Sequence, residues 1–242
     1  GDLERVQTLS AQDLHDWFRR LPWARGRSPL SASPEFEDYL FEQWQHGVFS
    51  DYWQQPGLCN EGFYDRFPDV PTAIVGSWLD PYVLSCLTNY GALSARRRST
   101  VTLLMGPWTH GKRSATHAGD VDFGPQATLD GNIAVDYLQM RLDWFGRWLK
   151  GETPVAEEHR VRVFLMGGGN GTRNEDGRLN HGGRWIQSDH WPCANVSEQV
   201  LRLAWLDGRG HLSEIAQTEG THKEYRYDPR DPVPTIGGAL TS

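Results

Sequence analysis

Apolar residues change their spacing along the chain, and each spacing predicts a different kind of structure. Near the amino terminus they recur every three or four positions over 14–21 and 36–44, which predicts two amphipathic helices. Ser10 is a suitable N-cap for the first helix, which Pro22 ends, and Ser33–Pro34 is a suitable start for the second. We therefore expect a small helical layer at the beginning of the chain.

The centre of the chain holds two short apolar runs of another kind, at 72–78 and 101–105. Both are apolar almost throughout, which is typical of parallel strands that are covered on both faces. The interval between them has room for a crossover helix, which we expect to extend to about Tyr90. A strong helical pattern follows from Asn132 to Gly151. This alternation of strands and helices predicts an α/β fold.

From about residue 159 onward, apolar and polar residues alternate in short stretches between turns rich in Gly and Asp. These stretches are centred near Val163, Trp185, Leu203 and Tyr225. A period of two predicts short antiparallel strands, as in a β-sandwich. We therefore divide the chain into a helical segment (1–50), an α/β segment (51–152) and the beginning of a sandwich (153–242).

Composition and charge narrow the classes of partner. The 242 residues include 24 Lys and Arg and 31 Asp and Glu, which gives a net charge of −7. Nucleic-acid phosphates bind to a basic protein face, so this charge disfavours nucleic acid as a partner. No apolar run approaches the length of a membrane span. The three cysteines are widely spaced, which indicates neither a disulfide framework nor a zinc site. We expect no nucleic-acid or membrane partner; the compartment stays open, with the cytoplasm slightly favoured.

Each of the two central apolar runs leads into a Trp-containing loop that carries a reactive side chain. Asp80 follows the first run in GSWLDPY, and His110 follows the second in GPWTH. Because side chains from separate strands converge at the carboxyl edge of a parallel sheet, we expect these two to lie close together. An acid and then a His, each after its own strand, is typical of an α/β-hydrolase triad. No Gly-x-Ser-x-Gly elbow is present, and Ser28, Ser77 and Ser114 have the wrong flanks.

Other interpretations of these residues stay open. An Asp before a Pro at a helix start, as at Asp80, is commonly only an N-cap, and a lone His after a strand is commonly structural. A metal site would take its ligands from His110, His117, Asp120 and Asp122. Their spacing fits no common zinc pattern, so we expect no metal. The glycine-rich run at 167–171 lacks the strand-to-helix context of a phosphate-binding loop and predicts a turn.

Six motifs, taken together, resemble one protein family. In chain order they are GSWxDPY, GPWTHG, GDVDFG, WFGRWLKG, VRVFLMGG and YxYDPxDPVPTIGG, and they cover about residues 51–238. Their order is similar to that of the cocaine esterase/X-Pro dipeptidyl-peptidase (CocE/NonD) family of serine hydrolases. The resemblance implies the C-terminal part of an α/β-hydrolase core, with a helical cap segment before it and a partial jelly-roll β-sandwich after it.

The resemblance also implies roles for single residues. Asp80 matches the triad acid, His110 matches the triad base, and Tyr82 stands where the family places an aromatic ring against the acyl group. The family's nucleophilic serine and oxyanion donors lie upstream of anything in this chain, so we expect the chain to be a segment that is inactive alone. The implied substrate is a small-molecule ester or amide, and no cofactor is implied. The oligomeric state stays open.

A function from a different class is kept as the alternative. The segment would then be a non-catalytic module that binds carbohydrate or protein through exposed aromatic side chains. Its candidate contact residues are Trp185, Trp191 and Trp205, although such residues are more often buried in a core. Substitution of His110 would then be silent, whereas substitution of Trp185 or Trp205 would weaken ligand binding.

Overall fold

The computed structural model describes residues 2–153, 159–193, 196–206, 208–215, 222, 224–233 and 238–239. The chain separates into two compact units, residues 1–66 and 67–242. The helices of the first unit are α1 (Asp2–Ser10), α2 (Leu14–Phe18) and α3 (Pro34–Gln45), with a 3₁₀ helix at Asn60–Arg66. Regular structure in this unit is helical, as the spacing of its apolar residues predicts.

The start of α2 differs from the prediction. Its N-cap is Asp13 rather than Ser10, and the Asp13 carboxylate accepts the amide N–H groups of His15 and Asp16 at 2.9 and 3.4 Å. Ser10 is instead the last residue of α1, a helix that the sequence pattern did not reveal. α1 buries none of its residues, and its apolar residues are Leu3, Val6 and Leu9.

α3 begins at Pro34 with Ser33 as its N-cap, as predicted. Its buried face carries Glu37, whose two carboxylate oxygens accept hydrogen bonds from the Ser28 hydroxyl at 2.6 Å and from the Gly26 amide at 2.9 Å. A buried carboxylate is tolerated where partners of this kind satisfy it. Ser28 is itself fully buried, so its hydroxyl is part of the internal structure of this unit.

The second unit contains the helices α4 (Val83–Arg96) and α5 (Tyr137–Lys150). Its strands are β1 (Thr72–Ser77), β2 (Val101–Gly106), β3 (His117–Ala118), β4 (Val121–Asp122), β5 (Val161–Met166), β6 (Leu179–Asn180), β7 (Gly183–Ser188), β8 (Arg202–Leu206) and β9 (Arg209–Ser213). The described strands form a four-stranded sheet in the order β1–β2–β5–β7, a small sheet in the order β3–β4–β6, and the hairpin β8–β9.

The parallel part of the main sheet brings two strand ends to one edge. β1 and β2 pair in parallel over their whole length, so that Ser77 lies opposite Gly106 at their carboxyl ends. α4 connects the two strands, since parallel neighbours need a crossover rather than a tight turn. Leu103, Leu104 and Met105 of β2 are buried, as expected for a strand with both faces covered. Helices and a mixed sheet thus give the predicted α/β class.

β5 and β7 differ from the sandwich that alternation predicted after residue 159. β5 pairs in parallel with β2, and β7 then pairs antiparallel with β5. Val161, Val163 and Phe164 are buried, so successive residues of β5 are covered on opposite faces of the sheet. The main sheet therefore continues past residue 153. The three segment limits stay a prediction, as does a sandwich in the remaining chain.

The last described strands stand apart from the main sheet. β8 and β9 pair only with each other among the described residues. Tyr225 and Tyr227, where a strand was predicted, lie in irregular chain. Residues 234–237 of the last family motif lie outside the described residues. Alternation of apolar and polar residues thus identified β8 but was wrong about residues 225–227.

α5 begins later than its apolar pattern predicts. Asp136 is the N-cap and accepts the Gln139 amide N–H at 2.7 Å, and the helix ends at Gly151 in the left-handed conformation, with a φ of +72°. Asn132, the predicted start, instead donates side-chain hydrogen bonds to the carbonyl oxygens of Pro125 and Thr128, both at 3.1 Å. No helix among the described residues is both long and apolar enough to cross a bilayer.

Candidate active site

The loops after β1 and β2 run side by side beyond the ends of the strands. The Trp78 amide donates to the Gly106 carbonyl at 2.8 Å, and the Leu79 amide donates to the Trp108 carbonyl at 3.3 Å. These bonds extend the parallel pairing to the residue before Asp80. The sheet therefore fixes the backbone of Asp80 relative to the loop that carries His110, two residues after Trp108.

The two carboxylate oxygens of Asp80 have different partners. Oδ1 accepts the Tyr82 amide N–H at 2.8 Å, which closes the turn that leads into α4. Oδ2 lies 2.9 Å from Nδ1 of His110. One oxygen thus closes the turn before α4 and the other contacts the imidazole, and the N-cap of α4 is Tyr82 rather than Asp80. The convergence of Asp80 and His110 is present; their catalytic role stays a prediction.

The contact fixes which nitrogen of His110 carries the proton. An ionised carboxylate can only accept hydrogen bonds, so in the neutral imidazole Nδ1 is the donor and Nε2 is the basic nitrogen. The His110 side chain is 52% exposed, whereas that of Asp80 is 9% exposed. A buried acid beside a half-exposed His holds the ring in one tautomer while a reactant can still approach the ring.

Tyr82 lies against the imidazole on the exposed side of the pair. The two ring centroids are 5.4 Å apart, with an angle of 66° between the planes, which is an edge-to-face contact. Tyr82 is itself largely exposed. The residue that the family resemblance assigns to substrate contact therefore shares a rim with His110, and its contact with a substrate stays a prediction.

The thiol of Cys86 is affected by the charge of Asp80. Burial raises the pKa of this thiol, and the charge of Asp80 raises that pKa further. Both effects favour the protonated thiol, which is a poorer nucleophile than the thiolate.

The serines considered from the sequence have other surroundings. Ser28 is hydrogen-bonded to Glu37 within the first unit. Ser77 is buried at the end of β1, and the Ser114 hydroxyl donates to the carboxylate of Asp130. The geometry thus agrees with the sequence, in which none of the three stands on an elbow.

The proposed metal ligands are used differently in the structure. His110 contacts Asp80, and the two carboxylate oxygens of Asp122 accept the Gly124 amide at 2.8 Å and the Asn174 side-chain amide at 2.7 Å. Within the part of the chain that the structure describes, no three His, Cys, Asp or Glu side chains are grouped so that they could hold a metal ion. The GDVDFG motif contains strand β4 and a turn after it that Asp122 closes by accepting the Gly124 amide.

The tryptophans considered as ligand contacts are partly buried. Trp185 packs edge-to-face on Phe164, with ring centroids 5.3 Å apart, and its indole N–H donates to the Gln126 carbonyl at 2.8 Å. Trp191 packs on Trp78, with centroids 5.8 Å apart. Trp185 is thus part of the packing of the main sheet, which removes one of the three candidate contact residues from the binding-module alternative.

Sequence reasoning missed what supports the two site loops. Trp78 and Trp108 stand two residues before Asp80 and His110, and each indole N–H donates to a distant backbone carbonyl at 2.7 Å. The repeated position of a Trp before each reactive residue was visible in the sequence. The sequence does not show what these tryptophans bind, because the carbonyl groups that accept their N–H groups belong to segments far along the chain.

Comparisons with known proteins find both similar sequences and similar structures. Residues 2–112 match the sequence profile described as X-Pro dipeptidyl-peptidase (S15 family). The chain is 29% identical over 177 residues to the cocaine esterase of Rhodococcus sp. (strain MB1 Bresler), which covers 70% of the chain and 27% of that protein. These matches support a CocE/NonD-type family. The chain spans about a quarter of the length of the cocaine esterase that it matches.

Two crystal structures of a CocE/NonD family hydrolase from Staphylococcus aureus are also similar to the chain. Each is 13% identical to it; the TM-scores are 0.39 and 0.42, and the alignments cover 69% and 72% of the chain and 23% and 25% of the solved chains. The matched family and the matched relative are thus hydrolases of the X-Pro dipeptidyl-peptidase and cocaine esterase type.

Proposed function

We propose that the protein to which this chain contributes hydrolyses an ester or amide bond of a small molecule through an acyl-serine intermediate. Asp80 would orient His110, and His110 would be the general base and then the general acid. The observation that supports this most directly is the 2.9 Å contact between the buried Asp80 carboxylate and Nδ1 of the half-exposed His110.

In this mechanism Nε2 of His110 takes the proton of a serine hydroxyl while the serine oxygen attacks the carbonyl carbon. The Asp80 carboxylate stabilises the imidazolium that forms and keeps Nδ1 protonated. The imidazolium then gives its proton to the leaving group, and the acyl-enzyme remains. Water, activated by the same nitrogen, releases the acid and regenerates the serine. Tyr82, on the same rim, would pack against the acyl group.

The serine must come from outside these 242 residues, because no Gly-x-Ser-x-Gly elbow occurs in them. β1 is the end strand of the main sheet as far as the structure describes it. A further parallel strand on that edge would finish at the rim where Asp80 and His110 lie, since parallel strands share one carboxyl edge. We propose that the nucleophile and the oxyanion donors arrive by this route.

One experiment compares this chain with a parent protein that contains it. A fluorophosphonate probe is expected to label a single serine in the parent and no serine stoichiometrically in the 242-residue chain. Esterase activity of the parent is expected to fall by about 10³-fold or more on His110→Ala, as for other triad members. His117→Ala is the control, because His117 lies in β3 and has no role in the proposed mechanism.

Two outcomes would contradict the proposal. Stoichiometric labelling of the isolated chain would place a nucleophile within it. Full activity of the folded His110→Ala parent would show that His110 is not the general base. In that case, weaker ligand binding after substitution of Trp205 would favour the binding-module alternative.

A further inference from the structure

The loop that carries His110 is attached to a second loop through one buried side chain. Trp108 is 1% exposed, and its indole N–H donates to the Ala127 carbonyl at 2.7 Å. The same residue accepts the Leu79 amide through its own carbonyl at 3.3 Å. Trp108 therefore connects three segments: the loop of His110, the loop of Asp80, and residues 123–130, which we name the brace.

The brace contacts the His110 loop at a second point. The Leu129 amide donates to the Arg113 carbonyl at 2.9 Å, so hydrogen bonds to the brace, one from an indole N–H and one to a backbone carbonyl, lie on both sides of His110 in the sequence. Ala127 and Leu129 are fully buried, and Phe123 nearly so. The brace is therefore held in place by burial of its own side chains.

The brace is in turn attached to the main sheet. The Trp185 indole N–H, from β7, donates to the Gln126 carbonyl at 2.8 Å, next to the carbonyl that Trp108 uses. The Gln126 side chain donates to the Phe123 carbonyl at 2.7 Å and to the Gly183 carbonyl at 3.4 Å. Two tryptophans thus bind neighbouring carbonyls of one segment, one from the His110 loop and one from a strand.

We propose that the brace positions His110, and that Trp108 is the residue through which it acts. Trp108 does not face the reacting groups. It fixes the backbone from which the imidazole reaches the Asp80 carboxylate, so its loss would let the ring leave the Nδ1–H tautomer. The importance of this positioning for turnover rests on the proposed function. The effect of Trp108 on the imidazole tautomer does not depend on that function.

The test is nuclear magnetic resonance of the 242-residue chain with ¹⁵N-labelled histidine, with the His110 signals assigned from their absence in His110→Gln. Ring nitrogen shifts report the tautomer directly. Trp108→Phe keeps a large aromatic ring but removes the N–H donor. We expect the ratio of Nδ1–H to Nε2–H tautomer to fall about fivefold, the ratio that one net hydrogen bond is worth.

Two further variants separate positioning from general stability. Trp185→Phe removes the indole bond from β7 to the brace. The Trp185 ring also packs on that of Trp108, with centroids 5.7 Å apart, but Phe keeps an aromatic ring there and leaves the Trp108 bond in place, so a smaller fall in the same ratio is expected. If Trp108→Phe does not fold, the tautomer ratio in Trp185→Phe tests whether the brace positions His110. Trp53→Phe is the control: it removes a similar indole bond, to the His46 carbonyl at 2.7 Å, in the first unit, and should leave the His110 tautomer unchanged.

An unchanged His110 tautomer in both folded brace variants would overturn the proposal, as would an equal change in Trp53→Phe. Failure of the proposed function gives a different result. If the parent protein stays active with the substitution His110→Ala, then His110 has no catalytic role. The change in the His110 tautomer ratio in the brace variants would still be observed.

Discussion

Strand β5 of the main sheet and the hairpin β8–β9 arise from similar alternating sequence and reach opposite degrees of burial. Val161 and Phe164 of β5 are fully covered, whereas Leu203 of β8 is 89% exposed and Leu212 of β9 is 64% exposed. Both regions form strands, so the alternating pattern does not distinguish a covered strand from an exposed one. Burial is decided by which other segments cover the strand, and this is where the site differs from the hairpin.

The comparison indicates where substitutions will matter. An isolated two-stranded hairpin has little stability of its own. Side chains on β8 and β9 are therefore expected to contribute little to the free energy of unfolding. The main sheet carries Asp80 and His110 on loops whose supports are buried. We therefore expect large effects of substitution in the sheet and its loops, and small effects of similar substitutions in the hairpin.

The largest effect is expected for Phe164→Ala. Phe164 packs against Phe123 and Trp185 with ring centroids 6.1 and 5.3 Å away, so truncation leaves a cavity among rings. The free energy of unfolding of the second unit should fall by about 3–5 kcal/mol, measured by urea denaturation followed by tryptophan fluorescence. A loss below about 1 kcal/mol would mean that β5 is not packed as described.

A smaller loss is expected for Gly106→Ala, at the end of β2. A Cβ there would lie 2.3 Å from Cε3 of Trp108, so the indole that contacts the brace must move. Overpacking of this kind costs about 1–3 kcal/mol. Gly210→Ala in β9 is the matched control, since a Cβ there would meet the nearest ring atom of Trp205 at 3.5 Å, an ordinary contact. Equal losses in the two variants would contradict the comparison.

Asp80→Asn should change the reactivity of a neighbouring thiol. Burial raises the pKa of Cys86 and the Asp80 charge raises it further, so removing that charge lowers the pKa. A lower pKa means more thiolate at a given pH, and alkylation of Cys86 by iodoacetamide at pH 8 should become faster. Cys59, in the first unit, is the internal control. A slower or unchanged rate at Cys86 would show that the carboxylate charge does not act on this thiol.

The smallest effect is expected for Leu203→Ala. Because Leu203 is exposed in the hairpin, the substitution should change the free energy of unfolding by less than about 0.5 kcal/mol. The same denaturation experiment measures it. A loss comparable to that of Phe164→Ala would show that this face of β8 is covered in solution.

The sequence predicted those features that depend on nearby residues. Continuous apolar runs identified β1 and β2, and from these the convergence of Asp80 and His110 followed because parallel strands share an edge. The errors also have local causes. Asn132 binds back to Pro125 and Thr128 instead of opening α5, and Asp13 rather than Ser10 is the N-cap of α2.

What could not be predicted depends on contacts between distant segments. Nothing near Val161 indicates that β5 pairs with β2, and nothing near Trp108 indicates that its indole binds Ala127. Both contacts follow from the way the whole second unit packs. Knowledge of the family supplied Tyr82, whose position beside His110 no local pattern predicts.

The two oxygens of the Asp80 carboxylate bind different partners, and they link the geometry of the turn before α4 to that of the His110 imidazole. Rotation about its Cβ–Cγ bond displaces Oδ1 and Oδ2 together, so the group cannot turn away from the imidazole while it keeps the Tyr82 amide. A change in the tilt of the first turn of α4 will therefore reach the ring of His110 through a single torsion angle. Residues on the far side of that helix thereby gain a means of changing the orientation of the imidazole.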